Sequence, residues 1–108
     1  MAEYLLFNRE ALPSKISLTW NGRKLTVVCR RNSQMDRYVL DVYAADGAPI
    51  VYGRVVSFGR DALFGVAHVH TRGLGVMAFD KDWAESGKDA SAETFMRSVL
   101  PYIVPRWE

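Results

Sequence analysis

The sequence predicts an all-β fold: a small antiparallel β-sandwich or barrel of about seven to eight short strands, with at most one or two short helical turns. Three observations carry this expectation. Tyr38, Leu40, Val42 and Ala44 alternate with Val39, Asp41 and Tyr43 at the period-2 spacing of a strand. Two turn pairs, Asn21-Gly22 and Asp46-Gly47, separate β-rich runs as tight hairpins require. Turn signals then recur along the chain at roughly 8–15-residue spacing, the rhythm of a sandwich or barrel.

The elements follow in order. Tyr4–Phe7 is a short apolar run and a candidate first strand, and Pro13-Ser14 punctuates after it. Ile16, Leu18 and Trp20 alternate with Ser17 and Thr19, as on a half-buried strand, and Leu25–Arg30 is its hairpin partner. Arg31–Asp36 is a polar loop. The Tyr38–Ala44 and Ile50–Val56 hairpin comes next, turning at Asp46-Gly47. Phe58–Phe64 breaks the pattern, with Asp61-Ala-Leu-Phe64 forming either one helical turn or an irregular corner. Val66–His70 alternates again and predicts a strand. Arg72-Gly-Leu-Gly75 is a turn, and Val76–Phe79 a short strand. Asp80–Ala92 reads as a long exposed loop. Ser91 is placed to cap a short helix over Glu93–Arg97. Pro101 forbids its continuation and places the last strand, Val99–Val104, near an edge. Leu18, Val27, Leu40, Val42 and Val55 are expected in the core, and Gly22 and Gly47 at positive φ.

Composition sets the bounds. At 108 residues with 49% hydrophobic side chains, the chain suits one β domain spanning 1–108 and argues against disorder. The net charge of +2 is too small for a strong electrostatic claim, but the charge is unevenly spread. Residues 15–37 are basic. Residues 80–93 are acidic, with Asp80, Asp82, Glu85, Asp89 and Glu93. Such polarity suits docking between subunits. The single cysteine, Cys29, excludes an intrachain disulfide. No signal peptide pattern opens the chain, and no apolar run reaches the ~20 residues of a membrane-spanning helix. Synthesis and folding in a reducing cytoplasm are expected.

Chemistry is thinly signalled. His68 and His70 are the best metal candidates, since residues i and i+2 of a strand share a face; Asp80, Asp82 or Cys29 would have to supply a third ligand. The competing reading is two polar residues on a solvent face. Arg72-Gly-Leu-Gly75 lacks the third glycine and following helix of a dinucleotide site. Cys29 beside Arg30 and Arg31 has a nucleophile's neighbours but sits in a predicted strand, where a cysteine is most often a small core hydrophobe. No catalytic residue and no cofactor site is singled out, and the chain is not expected to be an enzyme. Trp20, Tyr38, Tyr43 and Tyr52 near basic residues suggest, as an alternative function, an OB-like β-barrel that stacks single-stranded nucleic acid. Cross-strand packing explains the same residues.

Two blocks carry a family resemblance: Ser17-Leu-Thr-Trp-Asn-Gly-Arg-Lys-Leu25 with its continuation to Arg30, and Tyr38-Val-Leu-Asp-Val-Tyr-Ala-Ala-Asp-Gly-Ala-Pro-Ile50. Together they resemble the baseplate plug proteins of contractile-tailed phages. A glycine-rich strand pair and a final aliphatic strand of that family would correspond to Gly73–Phe79 and Val99–Val104. The resemblance covers roughly residues 3–104. This chain departs from the pattern in its acidic 80–92 loop and its Pro105-Arg-Trp-Glu108 ending. The resemblance implies a structural virion protein at the tail baseplate, made in the host bacterial cytoplasm. Its implied partners are hub, tube or spike proteins, in a symmetric multi-copy assembly without membrane or nucleic acid. Asp80, Asp82, Trp83, Glu85 and Trp107 are the interface candidates.

Overall fold

Alternation of side chains and two tight turns build the first layer. In the computed structural model, which describes residues 3–66, 68–81, 90, 91 and 94–105, β1 (Ser14–Trp20), β2 (Arg23–Asn32), β3 (Arg37–Ala44) and β4 (Pro49–Val55) form an antiparallel sheet in sequence order. A second antiparallel sheet holds β5 (Leu74–Asp80) and β6 (Val99–Pro105). The fold is all-β. Among the described residues there are six strands rather than seven or eight, and the two sheets do not close into a barrel. Buried side chains of both sheets belong to one core, which gathers Leu25, Val27, Tyr38, Leu40 and Val42 from one sheet and Leu74, Val76, Ala78 and Val99 from the other. Tyr38 stacks on Phe95 at 4.0 Å between ring centroids.

The two hairpin turns differ. Asn21 and Gly22 both have positive φ, 52° and 74°, as a two-residue turn between Trp20 and Arg23 needs. At the other hairpin only Gly47, at φ 88°, leaves the right-handed regions. The Gly47 amide donates to Ala44 O at 3.0 Å, and Ala44 N donates to Ala48 O at 2.8 Å. The loop therefore has three residues, with Asp46 inside the turn and Gly47 after it; the Asp46 carboxylate accepts from Ala48 N.

The β3–β4 register slips twice. Leu40 faces Arg54 and Val42 faces Val51, so Asp41 stands opposite two residues, Tyr52 and Gly53. This is a bulge, and it reverses the phase of β4. Val55, expected in the core, points outward with 39% of its surface exposed, and Val56 is buried in its place. Leu18 is half-buried on the edge strand, and Val27, Leu40 and Val42 lie in the core.

Other expectations are corrected. Tyr4–Phe7 does not form a full strand: Leu5 N donates to Pro101 O, Ile103 N donates to Glu3 O, and pairing is limited to that bridge. Because Pro101 turns its carbonyl toward Leu5, its missing N–H also faces away from β5, so no β5–β6 hydrogen bond is lost. The described residues of Val66–His70 make no strand; Val69–Thr71 is a 3-10 turn. Around Glu93–Arg97, where a helix was expected, Glu93 lies outside the described residues. Phe95 N donates to Ser91 O as in one helical turn. Met96 then takes φ 61° and the chain leaves as β6. Asp80 and Ala90 are buried, not part of an exposed loop.

Candidate functional surface

The four-stranded sheet turns one face to the core and the other to solvent. On the solvent face stand Lys15, Ser17 and Thr19 of β1, Thr26, Val28 and Arg30 of β2, and Val39, Asp41 and Tyr43 of β3. At its centre the Arg30 guanidinium donates twice to Asp41, Nε to Oδ2 at 2.6 Å and a terminal nitrogen to Oδ1 at 2.9 Å. Arg30 lies diagonally across from Asp41, since the register pairs Val28 with Asp41 and Arg30 with Val39. Oδ1 also accepts the Gly53 amide at 2.9 Å. One buried carboxylate thus holds a guanidinium in place and satisfies the amide released by the bulge. Arg30's hydrogen bonds hold the Asp41 carboxyl below its ordinary range, against the opposing effect of burial, and Gly53 adds to them. Asp41 in turn raises the Arg30 pKa.

Two shallow depressions lie on this face. One, of about 540 Å³, is lined by Arg30, Asn32, Gln34, Val39, Gly53 and Val55. The other, also about 540 Å³, is lined by Lys15, Thr26, Val28, Tyr43 and Asp46. The Tyr43 and Tyr52 rings meet edge to face at 5.5 Å. Tyr52 is 57% exposed. Nearby, Arg54 turns inward and its guanidinium donates to the carbonyls of Ala62 and Phe64. That contact fixes the 61–65 corner along the β4 margin, where the Phe64 side chain is 74% exposed. Tyr52, Val55 and Phe64 therefore give this margin an apolar character.

The structure separates the aromatic residues that the sequence grouped. Tyr38 is buried against Phe95, and Trp20 faces inward with its Nε1 donating to Arg72 O at 2.7 Å. Only Tyr43 and Tyr52 of the four share the solvent face.

His68 and His70 are brought together, but by a turn. Their rings lie 4.9 Å apart, and His68 Nδ1 accepts the His70 amide at 3.1 Å. His70 Nε2 lies 3.2 Å from an Arg23 guanidinium nitrogen. The Arg23 donor assigns Nε2 as the acceptor, placing a permanent cation where a metal would bind. Among the described residues no three His, Cys, Asp or Glu side chains stand together as metal ligands. With Trp20 Nε1 and Asn21 Nδ2 both donating to Arg72 O, the pair belongs to the seat of the β1–β2 hairpin tip. Cys29 is fully buried, and burial pushes its thiol up to about 12, so it carries no thiolate at neutral pH.

Of the expected interface residues, Asp80 is buried at the end of β5. Asp82, Trp83, Glu85 and Trp107 lie outside the described residues. The Arg30–Asp41–Gly53 arrangement was missed from sequence. Its signal was an acid among the apolar residues of β3, next in sequence to the strand's most buried side chain, Leu40.

No family model matches the sequence, and no curated protein matches it significantly. No helix among the described residues is long and apolar enough to cross a membrane.

Proposed function

We propose that this chain acts by protein–protein assembly, as a baseplate or hub plug in the virion of a contractile-tailed phage, docked among hub, tube or spike proteins in several copies. The observation that carries the assembly reading is the apolar β4 margin. Tyr52, Val55 and Phe64 hold large hydrophobic surface in water beside a polar sheet face, a composition suited to the core of an interface. Leu6, 68% exposed, and Tyr4 add a second apolar stretch where the N-terminal segment meets β6. The tail assignment comes from the resemblance of Ser17–Arg30 and Tyr38–Ile50 to plug proteins.

Purified chain should bind recombinant hub, tube or spike protein, and Phe64→Asp should weaken that binding without lowering the melting temperature. A phage lacking the gene should fail to build infectious contractile tails. Normal tails without the protein would sink the tail assignment. The nucleic-acid reading is favoured by the exposed Tyr52 ring against the half-buried Tyr43, beside Lys15. It predicts salt-dependent oligonucleotide binding that Tyr52→Ala abolishes.

A further inference from the structure

We propose that the outer edge of β1 pairs with the same edge of a second copy of this chain, antiparallel about a two-fold axis at Ser17. The inference rests on how the sheet edges are treated. Strand edges left open recruit other strands, and proteins ordinarily cover, bend or interrupt them. Three of the four edges here are protected. The β6 edge carries Glu3–Leu5. The β5 edge carries the Ser57–Ala62 segment, through Gly59 N to Ala78 O and Ala62 N to Val76 O. The β4 edge starts at Pro49, slips register twice and holds Gly53 at φ 68°. By contrast, β1 is regular over seven paired residues, without proline, glycine or bulge, and it carries one charge, Lys15. No described residue pairs with its outer side.

The hairpin geometry says which backbone groups are open. A two-residue turn makes Trp20 and Arg23 a hydrogen-bonded pair, so Ser14, Ile16, Leu18 and Trp20 turn their amides and carbonyls toward β2. Lys15, Ser17 and Thr19 therefore turn theirs outward, and all three residues are exposed. An antiparallel copy centred on Ser17 sets Ser17 opposite Ser17, and Lys15 opposite Thr19 on both sides. Every outward amide then meets an outward carbonyl.

The side chains agree with this register. Ile16 meets Leu18 of the other copy on the core side, where both are half-buried for want of a neighbouring strand. On the solvent side each lysine meets a threonine, never another lysine. Other strands could occupy the edge, but the self-pairing satisfies all its open groups and juxtaposes no like charges. The result is a continuous eight-stranded sheet across the dimer. A single strand pair is a small interface, so association is expected to depend on concentration.

The test uses the axis. A side chain at position 17 faces its own copy, so Ser17→Lys and Ser17→Asp each place like charges opposite one another. Sedimentation equilibrium should show wild-type dimers forming as concentration rises. Each variant alone should dissociate about fivefold more readily. An equimolar mixture of the two should recover the dimer. Far-UV spectra should match the wild type, since position 17 is exposed. Hydrogen exchange at the Lys15, Ser17 and Thr19 amides should slow with concentration. Wild-type protein monomeric at millimolar concentration would overturn the proposal, as would dimers indifferent to both variants. Hub binding is measured separately, so the dimer and the tail assignment succeed or fail independently.

Discussion

Arg30 and Asp41 form a two-point ion pair in which the acid is buried and the base is not: the Asp41 side chain is 5% exposed and that of Arg30 47%. The carboxylate also accepts the Gly53 amide, so it joins three strands. Asp41→Ala should destabilise the protein by about 2–3 kcal/mol, because charged hydrogen bonds are lost and the bulge amide loses its acceptor. Arg30→Ala leaves a buried carboxylate without its cation, and should also cost stability. Arg30→Lys should recover little of that loss, since an ammonium cannot reproduce the two-pronged contact. Urea unfolding of the three variants checks the order.

The same acid sets a pH dependence. Its folded pKa lies below the ordinary value of 3.8, chiefly because Arg30 donates to the ionised form. The unfolded chain therefore takes up the proton first as pH falls. Asp41's contribution is complete above the unfolded value and is lost below it, toward the folded pKa. Stability curves for wild type and Asp41→Asn should differ most near neutrality and converge in acid. A constant gap down to the acid limit would show that Asp41 is not the group responsible.

Gly22 and Gly75 should respond differently to a side chain. At Gly22 a Cβ meets nothing within 4 Å, so Gly22→Ala carries the backbone cost of φ 74° alone, about 1 kcal/mol. At Gly75 the Cβ would lie 2.6 Å from the Val104 carbonyl and 3.2 Å from the Asp61 carboxylate. Gly75→Ala should force β5 from β6 and cost more, about 1–3 kcal/mol. Thermal melts of the two variants give the comparison.

Cys29 should resist thiol reagents while the protein is folded. The side chain is buried between β1 and β3, opposite Ser14 and Leu40, and a pKa of about 12 leaves almost no thiolate at neutral pH. Labelling should follow the rate of opening of the sheet and become fast in denaturant. Rapid labelling under native conditions would place Cys29 outside the core.

Leu40→Ala removes a fully buried side chain of the central strand β3 and should cost about 2–5 kcal/mol. Val55→Ala should cost little, since that side chain is partly in water. Chemical denaturation of both variants tests the phase reversal at the bulge.

Local chemistry wrote the meander plainly. Asn21-Gly22, Asp46-Gly47 and the alternation around Leu40 place β1 to β4, because each strand pairs with its sequence neighbour and the turns fix the register. Val55 was misread because a bulge shifts phase without changing strand character, and Gly53 was its one visible trace. His68-Val69-His70 looked like a strand, but the backbone there is drawn into a turn that receives Trp20 and Asn21 from far along the chain. Tyr4–Phe7 was legible as apolar, though its partner β6 lies at the opposite end of the sequence. The outer-face ion pair depends on a diagonal relation between strands, which alternation alone does not announce. The histidines were close as expected, yet the Arg23 contact that changes their chemistry comes from another hairpin.

The bridge between Glu3–Leu5 and residues 101–103 makes the order of events during synthesis uneven. The β1–β4 meander needs only neighbours in sequence and can assemble while the chain is still being made. Leu5 has no docking place until residues 101–103 exist, so its segment waits with an apolar side chain uncovered while the stretch between them is made. A pause or truncation before Val99 would leave a formed meander with this arm undocked and Leu5 uncovered.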